Sequence, residues 1–223
     1  MNNIMTDSIF FGAVISVVGY LIGIFLRKKI SVLNPLLVFA VIKIFHIDYE
    51  TYNSGAKYIS YLLTPATVCL AIPLYRQISV LKEHAKEVFI GILAGVLASM
   101  GSILLMSYLF GLTHEQYVTL LPKSITTAIG MGVSEELGGI QTITVAVIII
   151  TGVLGNIIAE AVLKIFRIKE PVAKGLAIGT ASHAIGTTKA LEIGEIEGAM
   201  SSLSVAVAGL MTVISASIFA NMM

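Results

Sequence analysis

Two polar runs hold most of the side chains in this chain that could do chemistry. One is Gly179–Glu195, GTASHAIGTTKALEIGE, and the other is Pro122–Thr127, PKSITT. In the shorter run, a proline at an early helical position followed by Lys123, Ser124, Thr126 and Thr127 reads as the start of a helix. The free N–H groups and positive end of such a start attract an anion, and Lys123 would add a full charge. A lysine that snorkels from an interfacial helix start to lipid headgroups accounts for Lys123 equally well. The hydroxyls of Ser124, Thr126 and Thr127 beside it favour the anion site.

In the longer run, Gly179 and Gly186 flank His183 and would ease a break in a helix. Thr187 or Thr188 would then cap a second half-helix leading through Lys189 and Glu192. Ser182, His183, Gly186, Thr187 and Thr188 become candidate binding residues at that break. His183 titrates near neutrality and could move a proton; the alternative is a core histidine satisfied by a backbone carbonyl. Lys189 and Glu192, three residues apart, are either coupling groups or a simple helical pair. Glu135 lies in SEELGG, which reads as a helix end with a glycine stop. It is either solvated or a cation or proton site facing a cavity. Glu160 is expected to snorkel to the inner boundary, and Glu195 and Glu197 to sit at the outer surface.

The elements around these runs are oily. Of 223 residues, 57% are hydrophobic and only 12% charged, against roughly 25% charged in a soluble domain. The composition predicts an all-α polytopic membrane protein with about 7–8 helical segments. The balance of 14 Lys+Arg against 13 Asp+Glu, with no basic patch, argues against a nucleic-acid partner. Cys69, the single cysteine, excludes an internal disulfide or a cysteine metal cluster. HExxH, GxSxG and Walker signatures are absent, and aspartate occurs only at Asp7 and Asp48. An enzyme is not expected, nor is a cofactor or a metal.

Charge sets the expected topology. The first apolar run follows a non-basic N-terminus and precedes Arg27, Lys28 and Lys29, so the N-terminus is expected outside. The segment 120–139 is too polar for a lipid-facing span. Only a re-entrant or non-crossing path for it puts Lys164, Arg167, Lys169 and Lys174 inside. A third segment broken at Pro65 and the segment holding His183 are expected to run in opposite directions. That is the pattern of an inverted repeat with discontinuous helices, with halves 1–112 and 113–223 inside a single transmembrane domain. Pro65, Pro122, Gly179 and Gly186 are the expected helix breaks.

The runs LPKSITTAIGMGVSEELGGI and ITGVLGNIIAEAVLKIFRIKEPVAKGLAIGTASHAIGTTKALEIGEIEGAMSSL resemble the LrgB/CidB family, densely from about Leu120 to Leu210. Ala128 stands where many members carry proline. Bacterial members are described as membrane partners of small holin-like LrgA/CidA proteins, linked to murein hydrolase control, autolysis and programmed cell death. Plastid relatives look like glycolate/glycerate transporters, and some bacterial pairs are tied to pyruvate. The resemblance therefore implies a plasma-membrane protein that moves a small monocarboxylate with an LrgA/CidA-like partner. The alternative is a non-transporting antiholin-like regulator. The composition is compatible with a homo-oligomer and does not require one.

Overall fold

The computed structural model describes residues 10–26, 49–61 and 71–223. The chain divides into two compact units, Met1–Cys69 and Leu70–Met223. All described secondary structure is helical, without strands. In the first unit, α1 (Phe11–Leu26) and α2 (Tyr49–Ser60) are joined by a hydrogen bond of 2.7 Å between the Ser16 and Tyr52 hydroxyls. The second apolar segment and Pro65 lie outside the described residues, so the pairing of Pro65 with His183 does too.

The second unit opens with two short helices, α3 (Ala71–Arg76) and α4 (Ile78–Glu83). Then comes α5 (Ala85–Phe110), whose 26 residues reach about 39 Å. Its buried apolar positions, Val88, Ile92, Val96, Met100 and Ile103, recur every three or four residues and make one stripe toward the core. Gly111 closes it in the left-handed region at φ 63. Thr113 starts α6 (His114–Leu120) with a capping box: its hydroxyl accepts from Gln116 N and its own N–H donates to the Gln116 side chain.

After α6 the chain turns through Pro122 and resumes as α7 (Thr127–Glu136). This second helix runs back along the first. Gly130 lies against Pro122, and Gly139, beyond the end of α7, lies against Thr119 on α6. The Thr119 hydroxyl accepts from Ile140 N at 2.8 Å, and Thr144 donates to the Thr119 carbonyl at 2.9 Å. The chain thus enters at Leu112 and leaves at Ile140 on the same end of the unit. Gly138, at φ 81, supplies the expected glycine stop.

The long helix α8 (Gln141–Ile165) then runs to the opposite end, where α9 (Pro171–Ile193) begins. Helical dihedrals in α9 fail at one residue, His183, at φ 43 and ψ −145. The path reverses there. Gly175 and Leu191 are four to five turns apart, roughly 24 Å along a straight helix. Yet both lie against the first turns of α10 (Glu195–Ala220): a Cβ on Gly175 would sit 2.5 Å from the Glu197 carbonyl oxygen, and one on Gly198 would sit 2.8 Å from Leu191 Cγ. Gly186 likewise packs back on Ser182 and Ile178. The halves 171–182 and 184–193, named α9a and α9b here, form a second hairpin that enters and leaves at one end. This corrects the expectation that the His183 segment crosses from one side to the other.

The helices α5, α8 and α10 are long and apolar enough to cross a membrane. Between them, two half-length hairpins enter from opposite ends and approach the same level. The inverted pair visible within this unit is therefore hairpin 113–140 followed by α8, against hairpin 171–194 followed by α10. Charge sorts the two ends: Arg76, Lys82, Lys86, Lys164, Arg167, Lys169 and Lys174 belong to one. Glu195 and Glu197 sit at that same basic end, 3.8 Å from Arg76 and 3.6 Å from Lys174 respectively, and not at the far surface. The reason is the reversal at His183, which returns the chain to the end it came from.

Two outcomes test this path. In a Cys69→Ser background, single substitutions Leu112→Cys and Gln141→Cys should react with an impermeant thiol reagent from one side of the membrane, and Glu170→Cys and Glu195→Cys from the other. Reaction of Glu170→Cys and Glu195→Cys from opposite sides would contradict the reversal. A Cβ on Gly179 would fall 2.8 Å from Ser201 Cα, so Gly179→Ala should cost about 1–3 kcal/mol of stability. Nothing lies within 4 Å of the corresponding position on Gly101, and Gly101→Ala should be neutral or slightly stabilising in the same thermal unfolding assay.

Candidate functional site

The two hairpin tips converge on α8 at Ile148. A Cβ on Gly130 would run into the Ile148 side chain, while the Ile148 carbonyl lies 2.9 Å from His183 Nε2. On α5, Ser99 Oγ is 3.1 Å from Ser124 Oγ in the first tip, and one turn away Gly95 packs on Thr180 of α9a. Val96, Ser99, Ser124, Thr180, Ala208 and Thr212 are among the residues around a small void between the tips. Lys123 Nζ donates to Ser124 Oγ at 3.0 Å, and no carboxylate pairs with Lys123 among the described residues. Thr180 Oγ1 is buried without a hydrogen-bond partner among the described residues.

A groove of about 680 Å³ between α5 and α9a leads to this junction. His84, Glu87 and Glu170 stand at its basic end, and Lys123 and Ser124 at its deep end. Its walls there are small side chains, with Gly91, Gly95, Ala98 and Ala177 among them. A cation, hydroxyls and an unpartnered donor beside a groove walled by small side chains make a chemistry suited to one compact anion. Buried polar groups without partners are costly, so a ligand oxygen there would relieve Thr180.

The expected residues do not all gather. Thr126, with extended dihedrals of φ −67 and ψ 150, is the N-cap of α7, and Thr127 is its first residue. The helix start therefore lies at Thr126–Thr127, beyond Pro122, Lys123 and Ser124, which form the turn. Gly179 and Gly186 do not break α9; both are helical, and the break is His183 itself. Their missing side chains serve close approach instead, Gly179 to Ser201 and Gly186 to Ser182. The second half-helix consequently starts before Thr187, whose hydroxyl bonds back to the His183 carbonyl at 3.1 Å and lies 2.8 Å from Ser201 Oγ.

His183 is buried at 3% exposure, and a Cβ on Gly152 would fall 2.6 Å from its Cε1. Its ring is held against α8, on the face of α9 away from the groove. Ser182 is buried against Gly155. Thr188 accepts from Asn156 Nδ2 at 2.9 Å, and the same amide donates to the Ile185 carbonyl. Lys189 reaches Glu160 at 2.5 Å and Glu192 at 3.5 Å. Glu160 thus clamps α9b to α8 instead of merely snorkelling, because the reversal of α9 brings Lys189 beside it. Glu135 is exposed at the end of α7, on the end of the unit remote from the tips. The sequence did not single out Ser99 or Thr180 as site residues, and marked Asn156 only as lying one helical turn from Glu160. Thr180 was legible in TASH as a hydroxyl one turn before the histidine; Ser99 had no signal beyond a polar residue in an apolar helix.

Spanning helices with two opposed half-length hairpins, and a mid-depth polar junction reached by a groove, define a polytopic helical membrane protein. The chain belongs to the LrgB-like family, whose profile matches residues 16–222. It is 38% identical over 213 residues to proteins named antiholin-like protein LrgB from Bacillus mycoides and Bacillus cereus, covering 92% of this chain and 93% of each relative. A Bacillus anthracis protein of the same name matches to the same extent. No solved structure matches the chain.

The dihedrals at His183 give a test. A non-glycine residue in such a region costs about 1–3 kcal/mol, which its buried bond to Ile148 helps to offset. His183→Gly loses the ring but fits the backbone; His183→Ala loses the ring and keeps the strain. Thermal unfolding should rank wild type above His183→Gly and His183→Gly above His183→Ala. Equal stability of the two variants would mean that position 183 carries no backbone constraint.

Proposed function

We propose that this chain is a secondary transporter of a small monocarboxylate such as pyruvate, glycolate or glycerate, and that the carboxylate binds where the two hairpin tips meet. The observation that carries this reading is Lys123, a cation without a carboxylate partner among the described residues, at the deep end of the groove beside Ser124 and Thr180. A single cation there suits a monoanion, and the small walls suit a short carbon chain. Opposed hairpins with ends at mid-depth are the usual setting for alternating access. Lys123 supplies charge, Ser99, Ser124 and Thr180 supply hydroxyl contacts, and His183 fixes the second tip on α8. The substrate class comes from the family resemblance.

In this reading the protein is a multi-pass plasma-membrane protein with its basic end in the cytoplasm. The C-terminus then lies outside, and the groove opens inward; the N-terminus keeps the outside position expected from Arg27, Lys28 and Lys29. An LrgA/CidA-like holin-type membrane protein is its partner. A second reading, which the family resemblance implies, is a non-transporting regulator that restrains murein hydrolase activity and lysis; the relatives' printed name, antiholin-like, accords with it. A deletion strain with altered lysis and normal organic-acid uptake would support it.

Uptake of labelled pyruvate and glycolate into proteoliposomes, with and without the partner, decides between them. A hydrogen bond to a charged group contributes about 1.5–3 kcal/mol, so Lys123→Ala should lower apparent affinity or uptake about 10- to 100-fold. Thr180→Val should have a smaller effect, and Glu135→Gln none. No uptake in any reconstitution, or unchanged uptake in Lys123→Ala, would contradict the transporter reading.

A further inference from the structure

A second pocket lined by cations lies outside the junction, at the basic end of α8. The helix ends in a reversal in which Ile168 N donates to the Leu163 carbonyl at 2.9 Å and Arg167 N to the Lys164 carbonyl at 3.2 Å. This arrangement places residue 167 in the left-handed region, normally glycine's place. Here it is arginine, at φ 55. Arg167 lines a pocket of about 530 Å³ together with Lys164, Lys169 and Lys174. Leu163, Ile168 and Ile193 form its apolar walls.

The charge is unbalanced. The carboxylate in the pocket, Glu160, is already engaged by Lys189 at 2.5 Å and Lys164 at 3.9 Å. Lys174 is 3.6 Å from Glu197. Arg167 and Lys169 have no ion pair among the described residues. Immediately beside Arg167, Ile165 and Phe166 are 73% and 72% exposed at the end of a helix long and apolar enough to span. A phosphate group above an apolar shoulder is the chemistry this combination recognises, since a planar guanidinium binds phosphate with directed hydrogen bonds.

We infer that this pocket binds the phosphate headgroup of an anionic phospholipid from the leaflet at the basic end, with the acyl chains lying along Ile165 and Phe166. A free phosphate anion shares the headgroup chemistry but has no use for the apolar shoulder. The site stands apart from the groove, so it does not depend on what the chain transports. Its cost is the strain at Arg167, which a glycine would remove.

The test is thermal unfolding of the purified full-length chain in a neutral detergent, titrated with phosphatidylglycerol, phosphatidylcholine or inorganic phosphate. Phosphatidylglycerol should raise the midpoint saturably, and the other two should not. Arg167→Gly should raise the midpoint without lipid while increasing the phosphatidylglycerol concentration for half-maximal stabilisation about fivefold. Adding Lys169→Gln should bring the increase to about 25-fold. An equal response to phosphatidylcholine, a full response to inorganic phosphate alone, or an unchanged phosphatidylglycerol response in Arg167→Gly would each overturn the inference.

Discussion

A helix that stops halfway through a bilayer leaves backbone donors and acceptors where lipid cannot satisfy them, and this constraint shapes the second unit. Both hairpins end inside the bundle, so their tips expose the unpaired groups of four helix termini. Such backbone is tolerated at depth only when buried in protein or lining a cavity. Here α5, α8 and α10 surround the tips, and side chains supply bonds the helices lack. Thr187 bonds the His183 carbonyl, Asn156 bonds the Ile185 carbonyl, and His183 spans to Ile148. The glycines of α8, α9 and α10 follow from the same need, because helices must approach closely to shelter a broken neighbour.

The same constraint places the chemistry. Turning the chain at Pro122 leaves Lys123 at mid-depth with a hydroxyl as its partner, and turning it at His183 brings Thr180 to the same junction. A bundle of continuous helices would have neither group available at that depth. The Lys189–Glu160 pair and the Asn156 amide hold α9b on α8, so the second tip is fixed from one side while its other face borders the groove. That asymmetry separates His183, whose ring is bonded to α8, from Lys123, which lines the groove.

Much of this was legible in the sequence. Apolar length identified α5, α8 and α10, the polarity of 120–139 argued against an ordinary lipid-facing span, and the distribution of Lys and Arg favoured a path that does not cross. The second hairpin was not legible as a reversal. Its halves are too short and too mixed to distinguish from one kinked span, and the glycines beside His183 looked like the break. What decided the matter physically was packing: Gly179 and Gly186 are consumed by Ser201 and Ser182, which leaves the histidine to take the non-helical dihedrals. The same reversal explains why Glu195 and Glu197 were expected at the wrong end.

The convergence of the two tips is the claim on which the rest stands, and cysteine cross-linking measures it most directly. In a Cys69→Ser background, Ser124→Cys paired with Thr180→Cys should be joined by a short bismaleimide, which adds to both thiols, within one molecule, and a bound monocarboxylate should slow the reaction. The pair Ser99→Cys with Ser124→Cys, whose hydroxyls lie 3.1 Å apart, provides the positive control. Efficient linking of the control with no linking between positions 124 and 180 would contradict the account.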